Sequence, residues 1–507
     1  MSNFENRAQK DLVTDAVFTE SNEEFILPDY MPEIGRVLRV SATLLPEEHY
    51  VGSDGTEFSG RLEYRLLYSD RENTVTEAPL EGRYTYRVHS DKDSAVTYTE
   101  ERIESVNARP SAPRKLGIRT RILARPHVLI EEAAGVPLST LVQDAPVETI
   151  AREVSVLERN ACFSGALHAE GRFTVEETSA DALTLISVQS GVLPETREAH
   201  DGYLSVRGRL IFTLLLQKMG EAPFVKVCTL PFEEEITAKD AKKEDRVVLS
   251  AHVASPTVTF EEDGENTALL LDTEYYLTGT LLSNRTVSVL EDLYVHGARH
   301  DIARRQFNAE KLIGCAAGNL TVSAELPLPA DIKMTGCLFP RFSLKDAAVS
   351  RVGDKATVEG RLDASLLCFG SDEIEKCDLT LPFRAELPLG GVGEEGESFS
   401  FSVTPVGGGA QVSGEKVRLS TELAVSLCSV CPVSLSLPFS AVKTGDIEGY
   451  DPATVLLYYP TDGDTLWSVG KRYGVPLADL KRQNGIPEEE ESTAPLDGYS
   501  YLFTHGL

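Results

Sequence analysis

Apolar and polar side chains alternate with a period of two along much of this chain, the signature of half-buried β-strands. The clearest case is Leu62, Tyr64 and Leu66 set against Arg61, Glu63 and Arg65. This run belongs to a motif, Gly-Arg-Leu-x-x-x-Leu-Leu, that occurs three times: from Gly60 to Leu67, from Gly208 to Leu215, and from Gly360 to Leu367. The glycines stand 148 and 152 residues apart, an ordinary domain size and too long an interval for a solenoid repeat. The middle copy, Leu210 to Leu216, is almost continuously apolar, which predicts a strand covered on both faces. A glycine opening each of these strands predicts a bulge or a close backbone approach.

Other elements recur around the motif. Leu45-Pro46-Glu47 and Leu193-Pro194-Glu195 precede the first two glycines, and Pro79-Leu80, Pro231-Phe232 and Pro382-Phe383 follow all three. Later strands also match, beginning at Lys115, Ala268 and Val417. Short strands between Gly, Pro and Asp turns predict a mainly β protein of three tandem homologous sandwich- or barrel-like domains. The divisions fall at 1–144, 145–297 and 298–442, with a linker over 443–453. Asp301 to Leu312 is the best candidate for a long amphipathic helix in this region.

After residue 454 the rhythm changes. Leu466, Val469 and Tyr473 share one helical face, Asp464 or Thr465 is placed to cap that helix, and Gly474 to end it. Leu477 and Leu480 give a second helix its buried side, Asn484-Gly485 ends it, and Tyr499 to Phe503 reads as a closing strand. The stretch from Tyr459 through Asp464-Thr465-Leu466-Trp467 to Asn484 resembles a LysM module, a βααβ fold that usually binds N-acetylglucosamine polymers. The resemblance implies a ligand groove with Gly463, Asp464, Thr465 and Leu466 on one wall and Asn484, Gly485 and Ile486 on the other. Trp467, the sole tryptophan, is a candidate contact beside that groove, although an aromatic on an amphipathic helix is more often packed in the core. Three departures from the LysM pattern stand out: Pro476 replaces a capping Ser or Thr, Gly470 replaces a common alanine, and Glu488 to Glu491 form an acidic run by the groove. That run either rims a binding site or is a solvated loop.

Composition narrows the partners. With 49 Lys+Arg against 79 Asp+Glu, a formal charge of −30 opposes binding to nucleic acid or anionic lipid and suits a basic protein surface. The N-terminal residues lack the apolar run of a signal peptide, and eight scattered cysteines suit reduced thiols in a cytosol. No cofactor, metal or catalytic residue is expected. Cys428-Ser429-Val430-Cys431 falls in a strand with no second ligand pair, and Gly391 to Gly396 precedes a strand rather than a helix. The recurring Arg61, Arg209 and Arg361 are expected to pair with carboxylates on neighbouring strands.

Three β-rich repeats, a Leu-Pro-Asp-Tyr-Met-Pro-Glu-Ile segment (Leu27 to Ile34) and a terminal LysM module together resemble the SpoIVA-interacting, SipL-type family of clostridial spore-coat morphogenetic proteins. The repeats of that family are called SPOCS domains. The resemblance implies a mother-cell cytosolic protein on the forespore surface that binds the coat-basement ATPase, stage IV sporulation protein A, through its LysM module. A wall-associated protein that holds peptidoglycan is the alternative, and a hydrolase seated in one repeat is a weaker third reading.

Overall fold

The computed structural model describes residues 7–13, 16–52, 55–89, 95–133, 136–142, 145–329, 336–369, 374–447 and 455–505. The first repeat comprises β1 (Arg7–Val13), β2 (Val17–Ile26), β3 (Arg36–Gly52), β4 (Gly55–Ser69), β5 (Val75–Val88), β6 (Ala95–Ala112) and β7 (Lys115–Ala133). A short helix, α1 (Leu138–Leu141), leads to β8 (Val147–Val175), β9 (Leu183–His200), β10 (Tyr203–Lys218), β11 (Phe224–Thr237), β12 (Arg246–Val253), β13 (Thr257–Asp263) and β14 (Asn266–Val295). The third repeat holds β15 (Ala298–Pro327), β16 (Cys337–Val352), β17 (Lys355–Phe369), β18 (Ile374–Pro388), β19 (Ser398–Ser413) and β20 (Lys416–Asp446).

All three repeats share one topology. A three-stranded meander (β3-β4-β5, β9-β10-β11, β16-β17-β18) packs on a second sheet in which the first and last strands pair. Those pairs are β2 with β7, β8 with β14, and β15 with β20. Each sandwich encloses its own apolar core.

The repeated motif occupies the central strand of each meander, and its glycine lies in mid-strand rather than opening the strand. Gly60 pairs with Pro46 and Gly208 with Pro194, so the Leu-Pro-Glu elements are the glycine's partners across the ladder. A register shift accompanies each glycine, and a Cβ on Gly208 would come within 2.5 Å of the Leu193 carbonyl oxygen. Both the bulge and the close approach are therefore present. Glu195, left unpaired at its bulge, reaches back 2.6 Å to Arg209, and Arg361 pairs with Asp346 at 2.9 Å. Arg61 also reaches into the second repeat, donating to the Tyr276 hydroxyl at 3.4 Å. One apparent match dissolves in space: Phe232 and Phe383 pair with the motif glycine, but Tyr84 takes that place in the first repeat. Pro79-Leu80 lies four residues out of register.

The two closing leucines of the motif have different destinations because adjacent strand residues face opposite ways. Leu66, Leu214 and Leu366 enter their own sandwich cores. Leu67, Leu215 and Leu367 point outward and meet in one cluster with Leu38, Ile186 and Phe339. The repeats are thus arranged around a pseudo-threefold axis. Polar contacts cross all three seams. Glu77 accepts from Arg65 and from Ser187, Gln189 Nε2 donates to the Pro340 carbonyl, and Arg39 Nη2 donates to the carbonyls of Phe339 and Ser365. The continuous apolar run of β10 has the same origin, since Ile211 packs on Val406 of the third repeat.

Away from this cluster, the pairing strands outrun their sandwiches and form a stalk of three ribbons: β1 with the end of β7, the start of β8 with the end of β14, and the start of β15 with the end of β20. Val154, Val156, Val287, Val289, Phe307, Ala309 and Leu437 fill the space between the second and third ribbons. Here the expected helix over Asp301–Leu312 proves to be strand. It pairs with Val442 to Val430 across one register shift at Ala303/Arg304, and Phe307 and Ala309 face this core at period two. The expectation of reduced thiols also fails at one place, where Cys315 and Cys428 sit opposite one another on β15 and β20 and form a disulfide. Strand β20 runs to Asp446, so the first residues assigned to the linker are still ladder.

Candidate functional site

The C-terminal module consists of β21 (Val455–Tyr458), α2 (Leu466–Tyr473), α3 (Leu477–Gln483) and β22 (Leu502–His505). Its closing strand begins three residues later than Tyr499. Thr465 caps α2: its hydroxyl accepts from Ser468 N at 3.0 Å while Ser468 Oγ accepts from Thr465 N at 3.0 Å. Gly474, at φ 67°, ends the helix. Leu466 and Val469 join Tyr458, Val475, Leu480, Ile486, Leu496 and Leu502 in a small core.

Each residue expected on the groove walls can now be placed. Asp464 is buried, accepting from the Tyr458 hydroxyl at 2.5 Å and from both N and Oγ1 of Thr461 at 2.8 Å. These bonds hold its carboxyl down at about 2. The Asn484 side chain donates to the carbonyls of Leu480 and Phe503 and accepts from Phe503 N, tying the end of α3 to β22. Leu466 and Ile486 belong to the core. Only Gly463 and Gly485 are fully open, with Thr465 half-buried. The first wall is also tied to the segment before β22, since Leu496 N donates to Asp464 O and Trp467 N donates to Ser492 O.

Trp467 does not line the groove. It turns onto the stalk at 7% exposure, its ring 4.9 Å from that of Tyr294 and its Nε1 donating to Asp292 at 2.9 Å. Asp292 also accepts from Lys471 at 2.6 Å and from Arg304 at 3.0 Å. Burial by itself would raise this carboxyl, but the bonds from Lys471 and Trp467 outweigh it and leave it below its ordinary value.

Two departures from the LysM pattern find their cause in this seat. The Tyr294 hydroxyl donates to the Val475 carbonyl at 2.7 Å, and a Cβ on Gly470 would lie 2.5 Å from that hydroxyl oxygen. Pro476 offers no side-chain cap to α3, yet Leu477 N is satisfied by Glu148 Oε1 of β8 at 3.1 Å. Gly297 N completes the seat by donating to Gly474 O at 3.0 Å. Glu148, Asp292, Tyr294 and Gly297 were not foreseen, because nothing local marks them; Gly470 and Pro476 were the available signal.

The acidic run is ordered rather than a free loop. Buried Lys481 donates to the carbonyls of Glu488 and Glu490, leaving Glu488, Glu489 and Glu491 exposed. Elsewhere, Cys428 to Cys431 lies in β20 and Gly391 to Gly396 in a turn before β19. Exposed His168, Glu170 and Asp272 converge within 4.8 Å on the second repeat, a grouping across strands that sequence spacing conceals.

Seat and groove together describe a binding module anchored to a three-domain β platform. Residues 461–489 match the LysM domain family, whose members bind glycans or mediate protein interactions. No curated protein and no solved structure matches the chain. Among the described residues, no helix is long and apolar enough to cross a membrane.

Proposed function

We propose that this protein is a non-enzymatic scaffold of spore-coat assembly, acting from the mother-cell side at the forespore surface. Its LysM domain docks the coat-basement ATPase, stage IV sporulation protein A. The observation that carries the protein-docking reading is the state of the groove: Asp464 and Asn484, the polar side chains that would meet a sugar, are engaged inside the domain. The exposed carboxylates of Glu488, Glu489 and Glu491 beside it favour a basic protein surface over an anionic wall polymer. Anchoring on the stalk suits a scaffold, because it fixes the docking site relative to three sandwiches. The spore coat and the ATPase enter through the order and number of modules.

Glycan binding remains the second reading, favoured by the open backbone at Gly463 and Gly485. Calorimetry of the full chain separates the two. The purified ATPase should bind, and chitohexaose and muropeptides should give no heat; the reverse result overturns the scaffold.

A further inference from the structure

The outer side of the module's two-stranded sheet is apolar and uncovered. Leu457 pairs with Phe503, and with Tyr459 and Tyr501 they are 42%, 38%, 64% and 50% exposed. The Tyr501 and Phe503 rings touch edge to face at 5.6 Å, while the alternate residues Tyr458 and Leu502 face the core. Four such side chains together are more than the scattered single apolar residues of an ordinary surface.

The two edges of this sheet are not alike. Phe503 N and O are both bonded to the Asn484 amide, so they point away from β21 and that edge is closed. It follows that Leu457 and Phe503 form a pair without mutual backbone bonds, and that Leu457 N–H and C=O point away from β22. Among the described residues no strand pairs with that second edge. Val455 to Tyr459 contain no charge and no proline, the devices that ordinarily protect an edge strand.

Acidic side chains outnumber Lys and Arg eight to four over residues 455–505. All four Lys and Arg side chains of residues 455–505 are engaged within the molecule: Lys471 on Asp292, Arg472 on Tyr458, Lys481 on two carbonyls and Arg482 on Asp479. Asp462, Glu488, Glu489 and Asp497 make no ion pair among the described residues. Asp462 follows Tyr459 closely, and Glu490 meets the Tyr499 hydroxyl at 3.4 Å, two residues before Tyr501.

We infer that β21 is a docking edge for a basic, extended segment of a partner protein, which adds to it as a third strand and lays apolar side chains on Leu457, Tyr459, Tyr501 and Phe503. Strand addition takes affinity from main-chain bonds and specificity from alternate side chains. This inference deepens the protein-docking reading of the module, rests on it, and moves the contact from the groove to the sheet.

The test uses the full chain and a fluorescein-labelled ten-residue peptide alternating Lys and Val, with a Glu–Val peptide as control. The Lys–Val peptide should bind by anisotropy, weaken with salt and slow hydrogen exchange over 455–459; the Glu–Val peptide should do neither. Leu457→Pro removes the outward N–H but no bond to β22, and should weaken binding at least tenfold, while Leu457→Val should retain it. Unchanged Trp467 emission and unchanged exchange over 502–505 show that Leu457→Pro is folded. Binding that survives Leu457→Pro, or protection appearing instead over 463–466 and 484–486, overturns the inference. In a parallel arm with the coat ATPase, unchanged affinity for Leu457→Pro places the partner elsewhere and sinks the edge but not the scaffold. No binding of the ATPase by the wild type sinks the scaffold, and the peptide arm still decides the edge.

Discussion

The Tyr294 hydroxyl reaches the Val475 carbonyl through space that the missing side chain of Gly470 leaves open. An exposed helical glycine replaced by alanine normally gains about 1 kcal/mol. Here the sign should invert. Gly470→Ala is expected to lower the melting temperature and shift Trp467 emission to the red as the module lifts off Tyr294. Adding Tyr294→Phe should restore part of the loss by removing the clashing oxygen. A stabilising Gly470→Ala would show that the module is not seated this way.

Glu148 stands in for the cap that Pro476 cannot supply. Glu148→Ala should cost about 1 kcal/mol, the usual worth of an N-cap. Pro476→Ser provides a local cap, so the loss should be much smaller in that background. Equal losses in both backgrounds, read by chemical denaturation, would argue that the Leu477 bond contributes nothing.

The seat should also release in acid. The Asp292 carboxyl lies below its ordinary value when the module is docked, so it adds stability above its free value of 3.8 that is lost as pH falls through the docked one. Trp467 emission in a titration from pH 6 to 2 should change below about pH 4. In Asp292→Asn that step should vanish and the emission should already be shifted at pH 6. Asp464, held at about 2, lies inside the module, so its protonation loosens the module itself rather than its seat.

At the pseudo-threefold axis, Leu215 is fully buried yet contributes nothing to its own sandwich core. Leu215→Ala should cost about 2–5 kcal/mol, as for other buried leucines. The loss should appear as weakened coupling between repeats, with calorimetric unfolding splitting into more than one transition. Leu214→Ala, one residue away, should instead destabilise the second sandwich alone. Identical unfolding profiles for the two variants would contradict the arrangement.

Much of this was legible in the sequence because it is local. Period-two alternation identified the motif strands, and Thr465, Gly474, Leu466 and Val469 outlined the module through capping and one helical face. The glycine bulge was readable because a glycine within a strand pattern has few other uses. What was misread had competing local signals. Asp301 to Leu312 carries residues at home in a helix, and only pairing with β20 makes it strand.

The sequence by itself determined that three like domains of strands precede a small module with two helices, the first of them capped. Tertiary structure alone decided that Leu67, Leu215 and Leu367 converge on one axis, and that Trp467 faces the stalk rather than a ligand. It also decided which edge of the sheet is left open. Such contacts join residues up to hundreds of positions apart, as with Glu148 and Leu477, and distance in sequence leaves no periodic trace. Their only local imprint is what is missing: a side chain at Gly470 and a cap at Pro476.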